Sequence, residues 1–258
     1  KTFSHGGIHP LENKDATAAL AIRRLPFAPR LVVLLSQHKG APARPMVRVG
    51  QEVVRGEPIA QADGHVSVPM HAPATGRVSA IDVWATAEGP RAPAIVIDVY
   101  EAASQEVLYE HPVDVMHMPP ADIGRVVKDA GLVGLGGAAF PAHVKYTPND
   151  DKPVDTVLIN GCECEPYLTP DYRVMLEGTQ AVIAGAILAG RAAGARDIII
   201  GIEDNKPEAV KVLREVDRRF GLDLELEYGL LGGAAIDARG EPLPPETLAR
   251  AREVDAIL

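Results

Sequence analysis

The period of the apolar positions changes near residue 100. Before it, short apolar runs lie between turn residues. In "PMVRVGQEVVRGEPIAQADGHVSVPMHAPATGRVSAIDV", Val47, Val49 and Val53–Val54 precede a turn at Arg55-Gly56-Glu57-Pro58. Ile59 and Ala60 lead to a second turn at Asp63-Gly64, and Thr75-Gly76 supplies a third. Such spacing predicts short strands closed into a small barrel or sandwich. From Pro119 the period is helical: Ile123, Val126, Val127 and Ala130 share one face, two prolines suit the start, and Gly131 suits the end. "VDTVLIN" (154–160) is almost continuously apolar, as in a buried parallel strand. A helix follows, with Asp171 as its N-cap and Val174, Val182, Ile183, Ile187 and Leu188 in near-helical phase. "RDIIIGIED" (196–204) is the next strand. "KPEAVKVLREVDRRFG" is the next helix, with Pro207 early and Gly221 just past its end. Strand and helix alternating in this order predict a parallel α/β sheet.

The β-rich stretch resembles the barrel-sandwich fold of lipoyl and biotinyl carrier domains. Those carry a modified lysine at a hairpin tip. The corresponding tip here, "QADGHVS", has none, so the module reads as a structural docking unit. The expected class is therefore α/β: an N-terminal barrel-sandwich-like β module followed by a Rossmann-like parallel α/β domain. The expected boundaries are 1–100 for the β module, 101–118 for a connector, 119–212 for the α/β domain and 213–258 for a divergent tail.

Composition narrows the function classes. With 258 residues, 47% hydrophobic and 24% charged, the chain can bury a real core. A net charge of −9, no Lys/Arg-rich tract and 4% aromatics argue against nucleic acid as a partner. Two cysteines do not make a disulfide framework, and "KTFSHGGIHP" has no apolar signal-peptide region; both point to the cytoplasm. "LVVLL" and "AVIAGAILAG" are shorter than the ~20 residues a spanning helix needs. No direct membrane insertion is expected, and any membrane link runs through a partner.

Three loops carry candidate chemistry at the carboxyl ends of strands, where open α/β sheets bind ligands. "GLVGLGGAAFPAHVK" (131–145) offers Gly134, Gly136 and Gly137, which allow close backbone approach, and then the cation Lys145. "NGCECEP" (160–166) and "IEDNKPE" (202–208) would bring Asn160, Glu163, Glu165, Glu203, Asp204 and Asn205 toward one crevice. Carboxylates there can accept hydrogen bonds from ribose hydroxyls or a nicotinamide amide. A glycine-rich turn without a ligand and two solvated acidic loops remain the alternative. Cys162 and Cys164 offer two thiolates where a structural zinc or an iron–sulfur cluster wants four ligands, so they read as small loop-filling side chains. None of the eight histidines pairs with Ser or Cys in a nucleophile motif.

"FSHGGIHPLENK", "LSQHKGAPARPMVRVGQEVVRGEPIAQADGHVSVPMHAPATGRV", "GLVGLGGAAFPAHVK", "INGCECEPYLTPDYRVML" and "GIEDNKPEA" together resemble RnfC, a component of the Rnf complex, which is an ion-translocating NADH:ferredoxin oxidoreductase of bacterial membranes. The resemblance covers about residues 1–212. It implies a peripheral subunit on the cytoplasmic side of the inner membrane, bound to other subunits of a membrane redox complex. It implies FMN and NADH as cofactors and hydride transfer from NADH to FMN, with no catalytic side-chain nucleophile and no metal ligand in this chain. It places Gly134, Gly136, Gly137 and Lys145 along the flavin, with Asn160 near it. Glu163 and Glu165 would lie near the flavin–nicotinamide face, and Glu203 would help bind the dinucleotide. The family's usual N-G-A-E-C-E-P is here "NGCECEP", so Cys162 stands for a small residue. Its usual G-G-A-G-F-P is here "GGAAFP", so Ala139 adds a Cβ that would strain a left-handed backbone. A cobalamin reductase of metabolic microcompartments looks similar over the same modules.

From about residue 213 the resemblance stops. The cysteine runs that hold the family's 4Fe-4S clusters are absent, and "GGAAIDARGEPLPPETL" resembles an early segment of 3-isopropylmalate dehydrogenase. The ending "VDAIL" reads as a strand start, which suggests truncation or fusion. The chain is therefore expected to hold FMN weakly or not at all by itself. A catalytically silent docking fragment is the second reading, and an isopropylmalate-dehydrogenase-type enzyme the least favoured.

Overall fold

The computed structural model describes residues 11–87, 89–107, 114–115, 117–148, 153–203 and 205–220, with 238–240, 244–246 and 249 beyond them. The opening motif up to residue 10, Asp204, Gly221, part of the connector, and most of the tail, including "VDAIL", lie outside the described residues. In chain order the elements are α1 (Asp15–Ala18), β1 (Arg30–Leu34), β2 (Arg44–Pro45), β3 (Glu52–Val53), β4 (Pro58–Gln61), β5 (Met70–His71), β6 (Gly76–Ala85), β7 (Arg91–Val99), α2 (Pro120–Asp129), α3 (Ala142–Tyr146), β8 (Thr156–Asn160), α4 (Pro170–Glu177), α5 (Thr179–Ala193), β9 (Asp197–Gly201) and α6 (Pro207–Phe220).

These elements fall into two units, residues 24–150 and residues 1–23 with 151–258. In the first, two antiparallel sheets of order β1-β7-β6-β3 and β2-β4-β5 face each other. Val33, Leu35, Val53, Ile59, Val78, Ile95 and Ile97 fill the space between them, and their alternation along each strand is what sends one face inward. Gly56 and Gly64 take the left-handed conformation at the first two expected turns. The third turn ends one residue early, and Gly76 already opens β6. The connector hugs this module, with the Gln105 amide accepting the Thr75 backbone N–H at 2.8 Å and donating to its carbonyl.

The first unit extends past the β module. α2 and α3 pack on the hairpin tip at residues 63–71, so residues 119–150 fold with the barrel and not with β8 and β9. Gly131, at φ +70°, sits so close that a Cβ would stand 2.7 Å from the Pro69 carbonyl oxygen. His143 Nε2 bonds the His65 carbonyl at 2.8 Å, and the two rings meet edge to face. Lys39 N–H donates to the Ala139 carbonyl at 3.0 Å. The glycine-loop segment thus lies against the hairpin tip through Gly131 and His143.

In the second unit β8 and β9 are parallel, Thr156 opposite Asp197 and Asn160 opposite Gly201. Met175, Ile183, Ala209 and Leu213 join α4, α5 and α6 in one apolar cluster. α5 ends at Gly194 in the left-handed conformation, whose N–H returns to the Arg191 carbonyl. Two expectations are corrected. The helix expected from Asp171 onward is two helices, broken at Gly178. Its N-cap is Thr169, which makes no side-chain cap bond, and Asp171 lies in the first turn. The cap comes from a residue outside the helix start.

Candidate functional site

The ends of β8 and β9 are tied together by backbone. Gly161 N–H donates to the Gly201 carbonyl at 2.8 Å, and a Cβ on Gly161 would stand 2.8 Å from that same oxygen. Asn160 Oδ1 accepts the Cys162 N–H at 3.0 Å, an Asx turn that folds the loop back over the strand end.

Glu163 is buried at the centre of a charged cluster. Its Oε2 accepts the Asp171 N–H at 2.9 Å and its Oε1 accepts the Tyr172 N–H at 3.3 Å. It thus supplies the cap that Thr169 does not, placing a negative charge at the positive end of α4. Its own N–H donates to Glu203 Oε2 at 3.2 Å. Between the two carboxylates lies Lys206, 5% exposed, with Nζ 3.1 Å from Glu163 Oε1 and in contact with Glu203 Oε2. Burial alone would pull the Lys206 ammonium down, but hydrogen bonds and charge from Glu203 and Glu163 outweigh it and hold the group above its ordinary range. Lys14 grips the loop from the other side through the carbonyls of Glu163 and Leu168.

Glu163 and Glu203 therefore meet through Lys206, while Asn160, at the end of β8, turns its side chain onto its own loop. Glu165 and Asn205 are exposed nearby in the chain. Cys162 is half-buried and Cys164 exposed, both free thiols. Burial, then the Glu203 charge, push the Cys162 thiol up and away from a reactive thiolate. Among the described residues no group of three or more His, Cys, Asp and Glu is arranged to hold a metal. No described helix is long and apolar enough to cross a membrane. Lys206 and Lys14 were not anticipated. The Glu203–Lys206 spacing of three was the available signal for the first, while Lys14 meets a loop about 150 residues away.

Gly134, Gly136, Gly137 and Lys145 belong to the other unit. Val133 bridges Pro141, and Gly134 N–H donates to the Phe140 carbonyl at 2.9 Å, closing the glycine loop. Gly137 has φ +97°. Gly134 and Gly136 do not have positive φ, and a Cβ on Gly136 would meet nothing within 4 Å. Neither backbone conformation nor packing calls for glycine at 136. Ala139 does sit at φ +47°, and Lys145 is exposed on α3.

Residues 2–101 match the family described as the RnfC barrel sandwich hybrid domain, and residues 127–226 the Nuo51 FMN-binding domain. The chain is 37% identical over 217 residues to the C subunit of the proton-translocating ferredoxin:NAD+ oxidoreductase complex of Clostridium ljungdahlii, covering 83% of this chain and 47% of that one. It is 38% identical over 225 residues to the Na+-translocating counterpart of Acetobacterium woodii, covering 86% and 49%. To the C subunit of the ion-translocating oxidoreductase complex of Pseudomonas aeruginosa it is 40% identical over 210 residues, covering 81% and 27%. The chain is a relative of RnfC. It spans about half the length, or less, of these curated relatives. This RnfC relative departs from them at its far end, where residues 199–258 match the isocitrate/isopropylmalate dehydrogenase family and overlap the FMN-domain match over 199–226. A solved NAD+-reducing NiFe-hydrogenase is 30% identical over 44% of this chain and 19% of its own, at a TM-score of 0.38, too slight to bear on the fold.

Proposed function

We propose that this chain supplies the FMN- and NADH-binding part of a peripheral subunit in an ion-translocating membrane electron-transport complex of the Rnf type, on the cytoplasmic side of the bacterial inner membrane. The observation that carries the reading is the glycine loop: Gly136 needs no missing Cβ for its own chain, which fits a backbone kept bare for a flat ring pressed against it. The match of residues 127–226 to an FMN-binding domain covers that loop and both acid loops. FMN, when bound, accepts a hydride from NADH. The chain's own residues bind and orient. The glycine loop offers Gly134, Gly136 and Gly137 to the ring and Lys145 a positive charge, and the end of β8 offers the Asn160 side-chain amide. Glu165 and Glu203 accept hydrogen bonds from the dinucleotide's hydroxyls. Glu163, with both oxygens engaged, fixes the loop that carries them. β8, β9 and the helices between and after them form part of a Rossmann-like domain on this reading. The two cysteines fall short of the four thiolates a 4Fe-4S cluster takes, so no cluster and no onward electron step is assigned to these residues.

The test is an FMN titration of the purified chain by flavin fluorescence, alongside Gly136→Trp. Weak, saturable quenching that the substitution abolishes, with bleaching of the bound flavin on adding NADH, is expected. Quenching that never saturates, or that G136W leaves untouched, overturns the reading.

A further inference from the structure

Lys206 lies in the turn after β9, and its buried ammonium faces two carboxylates that differ in what they have left to offer. Glu163 is fully engaged: two backbone N–H groups and Lys206 occupy it, and its side chain is 2% exposed. Glu203 is 26% exposed, and only its Oε2 is taken, by Lys206 and the Glu163 N–H. Its Oε1 has no partner among the described residues. One carboxylate is thus sealed and the other half-open, with a single cation holding both.

We propose that Lys206 is a positioning residue for dinucleotide binding: it holds the Glu203 carboxylate by Oε2 so that Oε1 is turned to the ribose hydroxyls of NADH. This rests on the NADH reading above. Without the ammonium, Glu203 Oε2 keeps only the Glu163 backbone N–H at 3.2 Å, one bond that leaves the carboxylate free to turn.

The experiment is NADH titration of the full chain, of Lys206→Met and of Lys206→Arg, each checked for folding by circular dichroism. K206M is expected to bind NADH roughly tenfold more weakly than the parent, the loss of one charged hydrogen bond that holds the acceptor, and K206R, which can still hold Oε2, to keep most of the affinity. Should K206M fail to fold, Lys206→Gln, which retains a donor without the charge, takes its place with the same expectation. If K206R loses as much affinity as K206M, or K206M binds as tightly as the parent, the proposal falls. A parent that ignores NADH sinks the NADH reading, whereas a parent that binds NADH beside a folded K206M of equal affinity sinks only the role of Lys206.

Discussion

Glu163 caps a helix that begins seven residues after it. Its Oε2 accepts the Asp171 N–H at 2.9 Å while its Oε1 pairs with Lys206 at 3.1 Å. One side chain thus fastens the β8 loop to α4 and to the turn after β9. Glu163→Ala removes a cap and leaves Lys206 with Glu203 alone in a buried site. Its expected cost is about 3 kcal/mol, the low end for breaking a buried pair, since one partner remains. Glu163→Gln, which can still accept from the helix, is expected to lose less. Urea denaturation of both variants measures this, and equal losses would mean that charge is irrelevant at 163.

Ala139 stands at φ +47°, where its Cβ crowds the backbone, and its carbonyl is held by the Lys39 N–H at 3.0 Å. The barrel contact therefore keeps the strained conformation in place. Ala139→Gly is expected to raise stability by about 1 kcal/mol, the cost of a left-handed alanine net of glycine's extra freedom when unfolded. A lowered denaturation midpoint would show instead that the Cβ packs usefully.

What was legible in the sequence was local. Ile123, Val126 and Val127 announce α2 through spacing alone, and the run Val157-Leu158-Ile159 announces β8. The strain at Ala139 was also readable, as an alanine inside a glycine-rich turn. What was hidden depends on contacts distant in sequence. The break at Gly178 looks like a tolerated glycine in one apolar helix until α4 and α5 are seen as separate. Glu163 as a cap was invisible because capping is sought within a residue or two of the helix start. The boundary near residue 150 follows from Gly131 against Pro69 and His143 against His65, pairs more than 60 residues apart that no hydrophobic period records. The meeting of Glu163 and Glu203 was legible because parallel neighbouring strands must end side by side.

His143 is buried against the hairpin tip with Nδ1 lacking a partner among the described residues. Burial pushes its imidazole below the ordinary value, against the opposing hydrogen bond to the His65 carbonyl, and the Lys128 charge adds to the depression. His71 moves the same way through burial. Folded, these rings resist a proton that the unfolded chain takes up near pH 6.5, so their stability contribution is complete above about pH 6.5 and is lost as pH falls below it. His143→Gln keeps a donor for the His65 carbonyl and cannot titrate. Urea midpoints at about pH 7 and about pH 5 are expected to differ less in H143Q than in the parent, with the remaining slope due partly to His71. An unchanged difference would remove His143 from the acid sensitivity of the barrel unit.

Gly161 is where the two strand ends come closest. A Cβ there would stand 2.8 Å from the Gly201 carbonyl oxygen and 3.2 Å from Met175 Sδ, and the first of these is backbone that cannot swing aside. Gly161→Ala must part β8 from β9 locally, stretching the 2.8 Å hydrogen bond from its own N–H to Gly201. The expected loss is about 2 kcal/mol, in the range for overpacking a filled site. Gly134→Ala is the control, because its nearest neighbour would be the Phe140 oxygen at an ordinary 3.8 Å. It should change stability by less than about 0.5 kcal/mol beyond the gain from stiffening the unfolded chain. Equal costs at the two positions would show that the strand ends have room the structure does not give them. The difference, if found, marks Gly161 as a glycine kept for the fold and Gly134 as one the fold does not demand.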